Sequence, residues 1–269
     1  TSPITRQLID KQLVPCVVIN NIIKTLLTTH PELKSQQYNI THIDKIAKLI
    51  KFGRTAEIKQ FNHFNLKALR ENSLIVKLIE KDNIDIVIHI LDHSDDLECV
   101  VEGRKIIHTM SIIKKPTLIK HIIDKGVDLE CQDELGWRPI HLICRYSTPE
   151  MIKYIIDKGV DLECHANMKW KPIHFICRYS TPEMIKYIID KGVDLESETN
   201  EKWRPIHIIS ESSTSEIIKY IINKGVDLTS CIGMYDINDS KYNYLDLMKR
   251  NRQISNDEYD EIVNMASKR

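Results

Sequence analysis

The sequence is poor in several things that single out a function. Aromatic residues make up 6% of the 269 positions, with only four Phe. That is too few for a surface built to stack nucleic-acid bases. Lys plus Arg and Asp plus Glu both total 38, so the net charge is zero. A chain without excess positive charge lacks the broad field that draws nucleic acid or a membrane surface. No apolar run approaches the ~18 residues that a membrane-spanning helix needs. The opening residues carry neither the charged start nor the apolar core of a secretory leader. No P-loop, G-x-G-x-x-G, G-x-S-x-G or H-E-x-x-H signature occurs, and no C-x2-C pair. Nucleotide chemistry, serine hydrolysis and zinc chemistry are thus disfavoured, and neither a cofactor nor a metal site is expected. What remains is ordinary globular material, 42% hydrophobic and 28% charged. The chain opens on Thr1 rather than Met, as a fragment, a processed chain or a trimmed one would.

The seven cysteines give the first positive signal. An odd count argues against a disulfide framework. Cys131 and Cys164 are 33 residues apart, as are Cys144 and Cys177. Trp137, Trp170 and Trp203 repeat at the same interval, as do His108, His141, His174 and His207, and Gly126, Gly159, Gly192 and Gly225. Residues 137–163 and 170–196 differ only at Arg138/Lys171 and Leu142/Phe175. A fixed period of this size means stacked units, none of which can bury its apolar face alone.

Within one unit the pattern predicts two helices. Pro139 to Tyr146 is a short apolar helix with Pro in its first turn, where the missing N–H is harmless. Ser147-Thr148-Pro149-Glu150 fits a capping box for the second helix, Glu150 to Lys158. That helix carries an apolar stripe of Met151, Ile152, Ile155 and Ile156. Lys158-Gly159 ends it. The polar stretch Asp161 to Lys169 suits a tight hairpin-like loop.

These units resemble ankyrin repeats. The resemblance rests on Pro139-Ile140-His141 with Gly159-Val160-Asp161, and on the same steps at Pro172-Ile173-His174 with Gly192-Val193-Asp194 and Pro205-Ile206-His207 with Gly225-Val226-Asp227. Asp133 and Gly136 also match the family. Ala166, Lys169, Thr199 and Lys202 depart from it. Arg138, Lys171 and Arg204 stand where the family has Thr, which puts its Thr–His hydrogen bond in doubt. The resemblance implies an all-α solenoid of helix-turn-helix units over about 38–269 and a role in protein–protein recognition. Residues 133–232 hold the near-perfect copies and 106–232 the clear units. Degenerate units occupy about 40–105, with helices at Ile43–Lys51, Ala56–Phe61, Leu74–Glu80 and Ile84–Leu91. A cap occupies about 233–269, with helices at Tyr244–Lys249 and Asp257–Met265. The resemblance also implies that each His of the series bonds loop backbone rather than a metal.

Residues 1–37 fall outside the repeat. Ser2-Pro3-Ile4-Thr5-Arg6, Leu13-Val14-Pro15 and a helix containing Ile19, Ile22 and Ile23 are similar to the C-terminal half of a U-box, the zinc-free relative of the RING finger in ubiquitin ligases. Cys16 replaces the usual Asn. On this resemblance Pro3 lies in a loop facing a ubiquitin-conjugating E2, and the family's first loop and central helix would precede Thr1. The bland alternative is a capping helix with a Pro-containing lead-in.

Partner-binding candidates come from the Trp series. Trp137, Trp170 and Trp203 precede the basic residue of each unit, a position that the ankyrin resemblance puts at the base of the loops, toward a concave groove. Arg145-Tyr146 and Arg178-Tyr179 end the first helices on the same side. Trp, Tyr and Arg are common anchors of interfaces. Equally, each Trp could stiffen the stack by packing on a neighbouring Arg or Lys stem. In the third clear unit Glu211-Ser212 replaces Arg-Tyr, so the groove turns from basic-aromatic to acidic. Cys144 and Cys177 read as small core residues rather than nucleophiles. A protein partner is expected, with an E2 added if the U-box reading holds; neither a nucleic acid nor a membrane is. The reduced thiols suggest an intracellular setting, the cytoplasm or the nucleus. A non-enzymatic scaffold with no ubiquitin link is the rival.

Overall fold

A computed structural model describes residues 42–226 and 243–268, together with the backbone of two short strands between them. The turn, helix and U-box-like segment expected over 1–37, Pro3 included, lie outside the described residues. The chain divides into two compact units, at Asp96 and Leu97.

In the first unit, helix α1 is described over 42–51. A 3-10 turn follows at Thr55–Gln60, then α2 (Leu66–Glu71), α3 (Leu74–Glu80) and α4 (Ile84–Asp92). Ala56–Phe61 had been expected to be an α-helix. Arg54 gives its start no side-chain cap, and six residues without one are too few to sustain α-helical pairing. Helix α2 was not anticipated. Asn65 starts it by accepting the Ala68 N–H at 2.9 Å, and Ser73 in the left-handed region (φ 55°) turns it into α3. Ile46, Ile58, Phe64, Leu66, Leu69, Leu78 and Ile90 are fully buried and form the core of this unit.

In the second unit the helices come in pairs. They are α5 (Ile106–Ile113) with α6 (Pro116–Asp124), α7 (Pro139–Tyr146) with α8 (Pro149–Asp157), α9 (Pro172–Tyr179) with α10 (Pro182–Asp190), and α11 (Pro205–Ser212) with α12 (Ser215–Asn223). The first members α5, α7, α9 and α11 pack side by side in one row, and the row continues into α13 (Tyr244–Arg250). Apolar residues on both sides of each inner helix make this packing favourable. Ile140, Ile143, Ile173, Ile176, Ile206 and Ile209 are completely buried. The outer helices bury one stripe each, as in Met151, Ile152, Ile155 and Ile156, and present the other face to water. The start of α8 differs from the expected capping box. Thr148 is the cap, accepting from the Met151 N–H at 3.4 Å, while Ser147 closes α7. Proline at the next position fixes the first turn, and the Glu150 carboxyl leans on Thr148 and nearby backbone.

Repeated polar contacts cross each boundary on the outer side. The Tyr187 hydroxyl donates to Asp157 at 2.9 Å, and the Tyr220 hydroxyl to Asp190 at 2.5 Å. Tyr154 does the same to Asp124. Each Asp also meets a lysine, Lys158, Lys191 or Lys224.

Strands β1 (Met234–Tyr235) and β2 (Lys241–Tyr242) pair antiparallel ahead of α13. Helix α14 (Asn256–Ser267) then closes the array and buries only Ile262. Its polar outer face is what a stack needs at its end. Buried Asn251 donates to the carbonyls of Ser210 (3.1 Å) and Ser213 (2.7 Å), sealing the end of α11.

Candidate functional site

Each inner helix is set by a histidine at its third position. The Arg138 N–H donates to Nδ1 of His141 at 3.0 Å, so the proton sits on Nε2, which donates to the Cys164 carbonyl at 3.3 Å. Lys171 and His174 repeat the first bond at 3.0 Å, and Nε2 of His174 donates to Ser197 at 3.1 Å. The missing family Thr is therefore no loss to the histidine, because the backbone N–H serves it. Burial pushes His141 and His174 down to about 4, so both are neutral at pH 7. The basic residue that replaced Thr bridges carboxylates instead. Arg138 meets Glu130 and, at 3.3 Å, Asp161. Lys171 meets Glu163 (2.7 Å) and Asp194 (3.2 Å), and Arg204 meets Glu196 (2.9 Å) and Glu198 (2.8 Å).

The loops end in a turn that delivers each Trp. The N–H groups of Asp133, Ala166 and Thr199 donate to the carbonyls of Trp137, Trp170 and Trp203 at 2.9, 2.8 and 2.9 Å. The Asp133 carboxylate also accepts from Leu135 (3.0 Å) and Trp137 (2.9 Å), and the Thr199 hydroxyl from Trp203 (3.1 Å). Gly136 holds φ 75° in this turn, while Lys169 and Lys202 occupy the same left-handed region at φ 59° and 65°.

The thiols of Cys131 and Cys164 donate to the carbonyls of Asp128 (3.0 Å) and Asp161 (2.9 Å). Ser197, at the equivalent place in the next repeat, makes the same bond to Asp194 at 3.0 Å. A hydroxyl replaces a thiol there without loss, which fits a hydrogen-bonding role rather than metal ligation. Burial pushes the two thiols up to about 11 and about 12, far from a reactive thiolate, and raises Cys144 and Cys177 further. Among the described residues no cluster of three or more His, Cys, Asp or Glu could hold a metal ion, and no helix is long and apolar enough to cross a membrane.

Most of the sequence-derived candidates meet on the inner-helix face. The guanidinium of Arg145 lies 5.7 Å from the ring centre of Trp137, 5.1 Å from Tyr146 and 5.6 Å from Tyr179. Phe175 joins the tryptophans. Its ring centre is 5.0 Å from Trp137 and 5.1 Å from Trp170. Trp203 is not part of this strip. It stands against its own His207 at 6.4 Å, and Ile208 takes the place of Phe175. Arg178 also departs from the pattern, because it reaches Glu211 at 3.3 Å instead of stacking. Tyr179 is 49% exposed, and Leu135 and Met168 at successive loop tips are 57% and 42% exposed. Phe175 and Lys114, whose Nζ lies 5.8 Å from the Tyr146 ring, belong to this face but were not among the candidates. The Leu142/Phe175 difference between otherwise matching repeats was the one sequence signal for Phe175.

The repeats can be assigned to a family. Two overlapping stretches, residues 107–198 and 160–231, match the model for ankyrin repeats, in three copies. Residues 107–231 are an ankyrin-repeat array. No curated protein matches the chain. The ankyrin match supports protein–protein interaction as the role of these repeats.

Proposed function

We propose that the ankyrin array captures a protein partner on its inner-helix face through the partly exposed Trp137 and Trp170, with buried Phe175 packed between them as their support. The observation that carries this is the convergence of Arg145 with the rings of Trp137, Tyr146 and Tyr179, 5.1 to 5.7 Å from its guanidinium carbon. Partly exposed Trp and Arg and the half-exposed Tyr179, held in fixed positions, lose little entropy on binding and can supply much of an interface's energy. Trp170 is the inner end of the strip, so Trp170→Ala should weaken partner capture by about 2 kcal/mol or more. Lys153 on α8 is the control, because it lies on the outer side, over the ring of Tyr187. If Lys153→Ala abolished capture while Trp170→Ala left affinity and fold intact, the partner would be on the outer helices.

We further infer that the array chooses the target for a ubiquitin ligase. The support is the U-box-like run from Ser2 to Ile23. A U-box performs no covalent step of its own; it orients the charged E2, so Pro3 would face an E2 and no nucleophile is needed. The chain from Thr1 should support no ubiquitin transfer, whereas the same chain extended upstream through a U-box-like loop and helix should support it. Inactivity of every extended chain leaves the rival, an adaptor without a ubiquitin link, and that rival draws on a family match lying wholly within the repeats. The free thiols of Cys99, Cys131, Cys144, Cys164 and Cys177 suit a reducing compartment, the cytoplasm or the nucleus.

A further inference from the structure

Cations along the repeat array are mostly spent within it. Arg138, Lys171 and Arg204 each hold two carboxylates, and Arg178 holds Glu211. Arg145 and Lys114 differ. Neither makes an ion pair or side-chain hydrogen bond with a described residue; their partners are aromatic rings. Both stand at the same ring, that of Tyr146, at 5.1 and 5.8 Å. The guanidinium of Arg145 donates no hydrogen bond to a described residue, so its N–H donors are available to a partner. Two like charges near one ring repel, and an anion that approaches both would offset that repulsion.

We propose that Lys114 and Arg145 seat one carboxylate of an extended acidic segment of a partner protein. The inference rests on the inner-face reading above and gives that face its partner chemistry. One repeat further on, Arg178 is neutralised by Glu211, so a run of phosphates would meet a paired guanidinium where the repeat before offers an unpaired one. A single Asp or Glu fits where a polyanion does not. Inner helices pack about 10 Å apart, and an extended chain advances ~3.3 Å per residue. An apolar or aromatic residue about three positions from the acidic one would therefore reach the partly exposed Trp170.

The test uses the full chain and displayed random peptides of about twelve residues, enough to cover several repeats in extended form. Recovered peptides are then made and measured by fluorescence anisotropy. The expected output is enriched in an Asp or Glu about three positions from an apolar residue. Changing that Glu to Gln should weaken binding about tenfold. Arg145→Gln should cause the same loss, and the two changes together should cost no more than either alone. Arg145→Lys should keep part of the affinity, and Lys114→Gln, at an exposed position, supplies the same comparison should Arg145→Gln fail to fold. An output without acidic residues, an empty one included, overturns the proposal, as do additive losses. Peptides that respond to Trp170→Ala but ignore Arg145→Gln overturn the carboxylate seat and leave the inner-face reading standing. Peptides that ignore both overturn both. A single-stranded oligonucleotide that binds more tightly than the recovered peptides overturns the assignment to an acidic protein segment.

Discussion

Arg178 and Glu211 hold the same position in successive repeats, and their side chains meet at 3.3 Å. Both are close to half exposed, so the pair adds ~0.5 kcal/mol or less to stability. Its effect is on recognition. Glu211→Ala should leave the thermal midpoint nearly unchanged while freeing Arg178, and affinity for acidic peptides should rise. Glu211→Lys should change which partner is chosen more than how tightly it is held. Equal peptide preferences for the parent and both variants would rule this out.

Acid should loosen the array through its buried histidines. His141 and His174 are held at about 4 by burial, with Arg138 and Lys171 acting in the same direction. A folded value below the unfolded 6.5 means that the unfolded chain binds more protons. The stabilisation is complete above pH 6.5 and is lost as pH falls toward 4. Each histidine contributes about 3 kcal/mol across that window. Urea midpoints measured at neutral pH and at about pH 4.5 should differ clearly, and His174→Gln should reduce the difference. A flat profile would refute the assignment.

The cysteine series separates into two behaviours. Cys164→Ser should cost little, because Ser197 already makes the equivalent bond one repeat later. Cys144→Ala and Cys177→Ala remove buried atoms from the inner row and should cost roughly 1 kcal/mol each. Denaturant titration checks both. Stoichiometric zinc in the purified chain would contradict the account of Cys131 and Cys164.

Lys169 occupies a left-handed backbone position that Gly136 fills one repeat earlier. A residue with a Cβ is strained there by about 1 kcal/mol, partly offset by the freedom glycine gives the unfolded chain. Lys169→Gly should thus raise stability by roughly 0.5 kcal/mol. A lowered thermal midpoint would show that the lysine makes up for its own strain.

The repeat boundaries were legible because one period governs Trp, His, Gly and Cys together. The pairing of helices followed from Pro139 and Gly159 and their counterparts. Two parts of the candidate face were not legible. Phe175 differs from its counterpart by one apolar residue for another, and only the packed row shows that its ring spans the gap between Trp137 and Trp170. Lys114 follows α5 with φ 61°, where the next repeat has Ser147 in an extended conformation, so no copy announced it. Arg145 and Arg178 looked equivalent in sequence. One period later stands Arg178 for one and Glu211 for the other, so Arg145 meets the neighbouring Tyr179 ring while Arg178 meets a carboxylate. Helix α2 was hidden because it lies between two degenerate copies and owes its start to Asn65 and its end to the turn at Ser73.

The outer Tyr–Asp contacts join residues 30 positions apart, from Tyr154 to Asp124, Tyr187 to Asp157 and Tyr220 to Asp190. Each therefore belongs to a junction, and neighbouring junctions are built from the same letters. A gene that gained or lost one block of 33 codons would regenerate every such junction without any compensating change. The array is in this sense a ruler whose divisions can be copied. Its length, and with it the length of partner it can measure, is open to change in single whole steps.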